Sequence, residues 1–201
     1  MKTVLFASLA LLAGVATSAE ASNLVDVQFV GYNAYYQTGA ALAGSDGDSW
    51  NALTYGANHG TDALFYADKS ASGIGISYTA QNFWTAGTGS YQFEGTVYDN
   101  LMRTSLAGYG NGIQIDLSGL AAGQSYGFYV YTQGDDGSAG RSIGFTANGV
   151  DVGSSSQTNS GTFKEGDNYV YFTAIADSAG DIDLDATTLH GEANINGFQM
   201  M

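Results

Sequence analysis

The sequence predicts an all-β fold, a two-sheet antiparallel β-sandwich with at most one short helix. Three observations predict it. Apolar and polar residues alternate with a period of two along most of the chain, as in strands with one buried face. The chain has 29 glycines in 201 residues, about twice average usage. They cluster in turn-like pieces at 44–48, 87–89, 108–112 and 134–137, a pattern of many short strands joined by tight turns. Hydrophobic residues make up 44% and aromatics 13%, too apolar for a disordered acidic tail and enough for a single-domain core.

The elements follow in order. Val25, Val27 and Phe29 alternate with Asp26 and Gln28 as a half-buried strand. Residues 74–79 and 91–93 carry fainter strand patterns. Asp99 to Ala107 reads as the one helix, with Asp99 as its cap and Leu101, Met102 and Leu106 facing the core. Ile113, Ile115 and Leu117 alternate with Gln114 and Asp116. Tyr126 to Thr132 is rich in aromatic and β-branched residues. Ser142 to Ala147 meets Val150 to Val152 through Asn148-Gly149, a pair suited to the positive φ of a two-residue hairpin turn. Asn168 to Ala176, Ile182 to Leu184 and a closing segment 194–200 complete the strands. The turn at 119–126 delivers the chain into a strand with Tyr126 placed to bond the turn backbone, the logic of a tyrosine corner.

Residues 1–21 have the layout of an export signal: Lys2, an apolar run from Val4 to Val15, and Ala19-Glu20-Ala21 before the expected first mature residue, Ser22. The domain expectation is therefore a signal over 1–21 and one sandwich over 22–201, secreted to the extracellular space. No later run approaches the ~20 apolar residues of a bilayer span. Five Lys and Arg against 19 Asp and Glu give a net charge of −14, which disfavours nucleic acid and anionic membranes as partners. With no cysteine, disulfides, thiolate metal sites and a Cys nucleophile are excluded.

Three parts of the chain together resemble a known group. They are VDVQF with GSDGDSWN (25–29, 44–51), IDLSGLAAGQSYGFYVYTQGD leading to FTANGV (115–135, 145–150), and EGDNYVYFTAIADSAGDIDLD closing with NINGFQM (165–185, 194–200). They are similar to bacterial secreted β-sandwich modules, often found in PEP-CTERM proteins, with a galactose-binding-like jelly-roll fold. The sorting tail of that group is missing here. The resemblance implies a non-catalytic, extracellular, carbohydrate-contacting module.

The residues offer few catalytic arrangements. Gly123-Gln124-Ser125-Tyr126-Gly127 fits the G-x-S-x-G pattern, with His190 further on. That nucleophile elbow needs strand, turn and helix, whereas here the turn enters a strand. The two histidines, His59 and His190, have no zinc-like spacing. Calcium suits the acidic, glycine-flanked loops better. Asp46 and Asp48 share one loop, and Asp181, Asp183 and Asp185 alternate on one strand face. Among the aromatics, Trp84 with Gln81 and Asn82, and Trp50 with Asn51 and Asp48, each combine a flat ring with hydrogen-bonding neighbours, as sugar sites do. For Trp50, burial in the core competes with that role. The expected function is a polysaccharide-binding module. The alternative is a self-associating subunit of a surface layer, filament or biofilm matrix, since proline and lysine, the usual blockers of sheet edges, are absent or scarce.

Overall fold

A computed structural model of the chain describes residues 23–32, 35–54, 59–110, 112–135 and 140–201. The expected export segment and its cleavage site lie outside the described residues, as does the side chain of His59. The strands are β1 (Val25–Val30), β2 (Asn51–Thr54), β3 (His59–Phe65), β4 (Ala71–Thr79), β5 (Asn82–Thr85), β6 (Thr104–Gly108) and β7 (Ile113–Ser118). They continue with β8 (Ser125–Tyr131), β9 (Ser142–Ala147), β10 (Val150–Ser155), β11 (Tyr169–Ile175), β12 (Ile182–His190), β13 (Ala193–Ile195) and β14 (Gly197–Met200). One helix, α1, spans Asp99–Arg103.

A five-stranded sheet runs β11-β8-β14-β1-β2 and a six-stranded sheet runs β10-β9-β12-β7-β4-β3. Their pairings are antiparallel except β1 with β2. Alternation sends Val27, Phe29, Phe128, Val130, Phe172 and Phe198 from the first sheet into one core. There they meet Ile76, Ile115, Leu117, Ile143, Phe145 and Leu184 of the second. This is the predicted sandwich. A three-stranded sheet, β13-β6-β5, adds Phe83, Leu106 and Ile195 to the same core.

The Asn148-Gly149 turn forms as expected. Its central residues have φ of 49° and 76°, and Ala147 pairs with Val150 across it. The corner also forms: the Ala121 N–H donates to Tyr126 Oη at 2.9 Å.

Three expectations are corrected. The helix stops at Arg103, and Thr104–Gly108 is a strand between β5 and β13. The ladder bonds gained on both sides outweigh the modest helix propensity of Thr104 and Ser105. Residues 91–93 form turns, with Tyr91 and Phe93 buried in a second apolar cluster beside Trp50, Leu101, Met102 and Tyr131. The closing segment is two short strands, broken at Asn196, whose N–H and C=O bond Tyr131 and Phe29.

β1 is buried on both faces, not one. Its outer face is roofed by chain from 35–50 and 86–103, and polar side chains fasten the roof. Gln28 Nε2 donates to the carbonyls of Tyr35 and Asn100 at 3.0 and 2.7 Å, and its Oε1 accepts from Gln37 N at 2.8 Å. Gln199 Nε2 donates to Ala43 O and Asp26 Oδ1, while its Oε1 accepts from Ala43 N and the Tyr131 hydroxyl.

Candidate binding surface

The outward face of the three-stranded sheet holds the best-placed expected residue. β5 sends Phe83 inward, fully buried, so its neighbour Trp84 points out, 42% exposed. Trp84 lies opposite Ser105 on β6, and Asn82 opposite Ala107, which pairs in turn with Asn194 of β13. Asn82, Trp84, Ser105 and Asn194 therefore share one face.

Ser105 Oγ donates to Asn194 Oδ1 at 3.2 Å. The Asn194 Nδ2 is buried and has no hydrogen-bond partner, although a buried amide donor without a partner costs about 1–3 kcal/mol. Gln81 is exposed, and its Oε1 accepts from Tyr109 N. Asn82, partly exposed, accepts at Oδ1 from Phe83 N at 2.9 Å.

Behind this face stands a polar wall. Gln157 has a φ of 51°, an uncommon conformation for a residue with a side chain. It accepts from Asn194 N at 2.6 Å and donates to Glu192 O at 2.5 Å. Arg141 bridges Glu192 and Asp135 at 3.2 and 3.4 Å. Burial raises the Glu192 carboxyl above its usual range, with Asp135 adding to the rise and Arg141 and Tyr109 opposing it. On the opposite side, a Cβ on Gly31 would fall 2.8 Å from the Trp84 carbonyl oxygen. This close approach brings the following residue, Tyr32, 58% exposed, out beside β5.

The other expected pair does not reach the surface. Trp50 is 6% exposed; its Nε1 donates to Gly39 O at 2.8 Å and its ring packs on Tyr131. Asn51 is 3% exposed. It donates to the carbonyls of Asp26 and Phe65 and accepts from Phe65 N, stitching β1 to the end of β3. Trp50 is held inside by the roof over the five-stranded sheet and Asn51 on the inner side of β2, level with Val27, so the second aromatic site read from the sequence is corrected to core.

The acidic clusters are also placed. Asp46 is exposed, while the Asp48 carboxylate is turned into its own loop, accepting from Ser45 N and Oγ at 2.7 Å each. Asp181 and Asp183 line a groove of about 230 Å³ with Asp116 and Ser77, and Asp183 pairs directly with Asp116 across β12 and β7. Burial first, then the neighbouring carboxylates, raises the Asp183 carboxyl. Among the described residues, no three His, Cys, Asp or Glu side chains are grouped to hold a metal ion.

Ser125 opens β8 and pairs with Ile175, beside the turn that leads into β12. His190 ends β12, eight residue steps away, or about 26 Å at strand rise. The cleft of about 440 Å³ that Ser125 lines holds no His, Asp or Glu among its described residues.

No protein-family model and no curated protein matches the chain. Solved structures do. A calcium-binding mutant of Bacteroides uniformis beta-glucuronidase 2 superposes with a TM-score of 0.52 at 17% identity, over 88% of this chain and 18% of that one. The same enzyme bound covalently to cyclophellitol-6-carboxylate aziridine matches with a TM-score of 0.52 at 17% identity, over 88% and 17%. A family 35 carbohydrate binding module from Clostridium thermocellum matches with a TM-score of 0.37 at 15% identity, over 71% and 98%. The chain thus spans under a fifth of the glucuronidase chains it matches. At 17% identity, the two glucuronidase likenesses concern the fold alone, which the strand pairings of this chain define as a β-sandwich.

Proposed function

We propose that this chain is an exported, non-catalytic module that binds extracellular polysaccharide through the face headed by Trp84. The observation that carries the reading is the placement of Trp84: a half-exposed indole on the same sheet face as the partly exposed Asn82, with the exposed Gln81 beside them in sequence. An indole offers a flat apolar surface to the C–H face of a sugar ring. The neighbouring Gln81 and Asn82 amides supply hydrogen-bonding groups for its hydroxyls. A chain with net charge −14 favours a neutral or cationic partner over an anionic one. The separation of Ser125 from His190 and the acid-free lining of its cleft speak against Ser125 as the nucleophile of a Ser-His hydrolase.

The test is a glycan array probed with the purified protein, with added calcium and with chelator. Trp84→Ala is expected to weaken binding about tenfold or more while its circular dichroism stays unchanged. Signal that is lost with chelator, and lost in Asp48→Asn or Asp183→Asn, supports the calcium expected from the loops carrying Asp46 and Asp48 or Asp181 and Asp183. Absence of binding across the array, with concentration-dependent assembly in sedimentation velocity, supports the self-associating subunit instead. The feature that favours that second reading is a set of exposed apolar side chains on the strands: Val150 and Ile175, which line one groove, and, on a separate patch, Leu189, 65%, 61% and 60% exposed.

A further inference from the structure

The roof over the five-stranded sheet covers the paired Tyr169 and Tyr131 at one end of β11 and β8 and leaves open the remaining stretches of these two strands. Their outward residues are Tyr171, Thr173 and Ile175 on one strand, and Ser125, Gly127 and Tyr129 on the other. Tyr171 lies directly opposite Tyr129, with ring centroids 4.8 Å apart. Gly127 pairs with Thr173, one row away on the same face. A Cβ on Gly127 would meet Tyr171 Oη at 3.2 Å and Cε2 at 3.6 Å. The hydroxyl end of the Tyr171 ring therefore reaches out of its own row toward the backbone of Gly127. Tyr171 is 43% exposed, so part of its ring is open to solvent.

The charge around it matters as much as the ring. None of these six outward residues carries a charge. The outer face of the six-stranded sheet, in contrast, carries Asp116, Asp183 and Asp185 on neighbouring strands. A strongly acidic protein thus keeps one aromatic shelf whose side chains are uncharged, edged by the hydroxyls of Ser125 and Thr173 and by Met201, which pairs with Gly127 and is 44% exposed. Such a shelf suits an extended chain of rings better than a single small ligand, and its uncharged side chains impose no desolvation of an ion on its occupant.

We propose that this shelf, with Tyr171 as its platform, is a second binding surface for an extended, uncharged polysaccharide. It lies on a different sheet from Trp84 and shares with the preceding reading only the class of ligand.

The test is affinity electrophoresis of the purified protein in native gels containing a neutral β-glucan, xylan or mannan, with polygalacturonate as the anionic contrast. Wild type is expected to be retarded by a neutral polymer and not by polygalacturonate. Tyr171→Ala is expected to lose about fivefold or more in affinity, as for loss of one aromatic contact, while Tyr171→Phe keeps wild-type retardation. Because Tyr171→Ala also uncovers Gly127, Thr173→Lys is run beside it. Thr173 is exposed on an edge strand, so the added bulk and charge block the shelf without touching the core. Wild-type retardation of both Tyr171→Ala and Thr173→Lys overturns the proposal, and if Trp84→Ala alone abolishes retardation, the Trp84 reading survives that result. Loss in the shelf variants with Trp84→Ala unchanged supports the shelf and removes Trp84. A wild type retarded by none of the neutral polymers overturns both.

Discussion

At the scale of single residues, the two tryptophans illustrate what sequence does and does not reveal. Each is flanked by amides and a glycine-rich loop, so composition alone does not separate them. Burial does: the roof over the five-stranded sheet covers Trp50, and nothing equivalent covers Trp84. Trp50→Ala is expected to cost about 3–5 kcal/mol and Trp84→Ala under about 1 kcal/mol, as read by urea denaturation. Asn194 was legible only as part of a closing strand. The alternation in Asn194-Ile195-Asn196 places both amides opposite Ile195, but its partner Ser105 comes from 89 positions earlier, a pairing no local pattern reveals.

The buried carboxyl of Asp26 makes a residue-scale prediction about pH. Burial pushes its pKa up to about 7, against the opposing Gln199 hydrogen bond and with the help of Asp48. Its Oδ2 has no hydrogen-bond partner. The folded state therefore holds this proton more tightly than the unfolded chain, whose reference value is 3.8. Its contribution to stability is complete below that value and is lost as pH rises through about 7. Asp183 and Glu192, also raised, act in the same direction. Thermal melts are expected to show lower stability at pH 8 than at pH 5, with the difference reduced in Asp26→Asn. A melting temperature that is the same at both pH values, or a difference that Asp26→Asn leaves intact, contradicts this account.

At the scale of elements, strands with strict alternation were legible and short ones were not. β7, β8, β9 and β11 each bury one face in register with the pattern read from sequence. β2 and β5 have four residues each, too few to establish a period, and they exist because β1 and β6 offer them a ladder. The misread helix has the same cause, since pairing on both sides converts 104–108 into a strand. The Asn148-Gly149 hairpin was readable because its turn chemistry is local. A Cβ on Gly149 would meet nothing within 4 Å, so the cost of Gly149→Val arises from its φ of 76° alone. That cost is expected to be about 1–2 kcal/mol, measured by chemical denaturation, and a variant as stable as wild type contradicts the turn.

At the scale of the whole molecule, the sandwich follows from two sheets whose apolar faces have only each other to bury against. The second apolar cluster is the part that periodicity did not foretell. The polar outward residues of β1 read as solvent-facing, yet Gln28, together with Gln199 of the neighbouring β14, uses its side-chain hydrogen bonds on the backbone of the roof. That covering determines where a ligand has room, namely over Trp84 and over the open edge at Tyr171.

The central claim is that Trp84 is the exposed platform on which a polysaccharide stacks. With two tryptophans in the chain, one buried and one half-exposed, acrylamide quenching of intrinsic fluorescence reads that residue directly. The account predicts one quenchable and one protected tryptophan, with a bound neutral polysaccharide shielding the quenchable one. Quenching that is unchanged when the protein is saturated with a polysaccharide it demonstrably binds contradicts it.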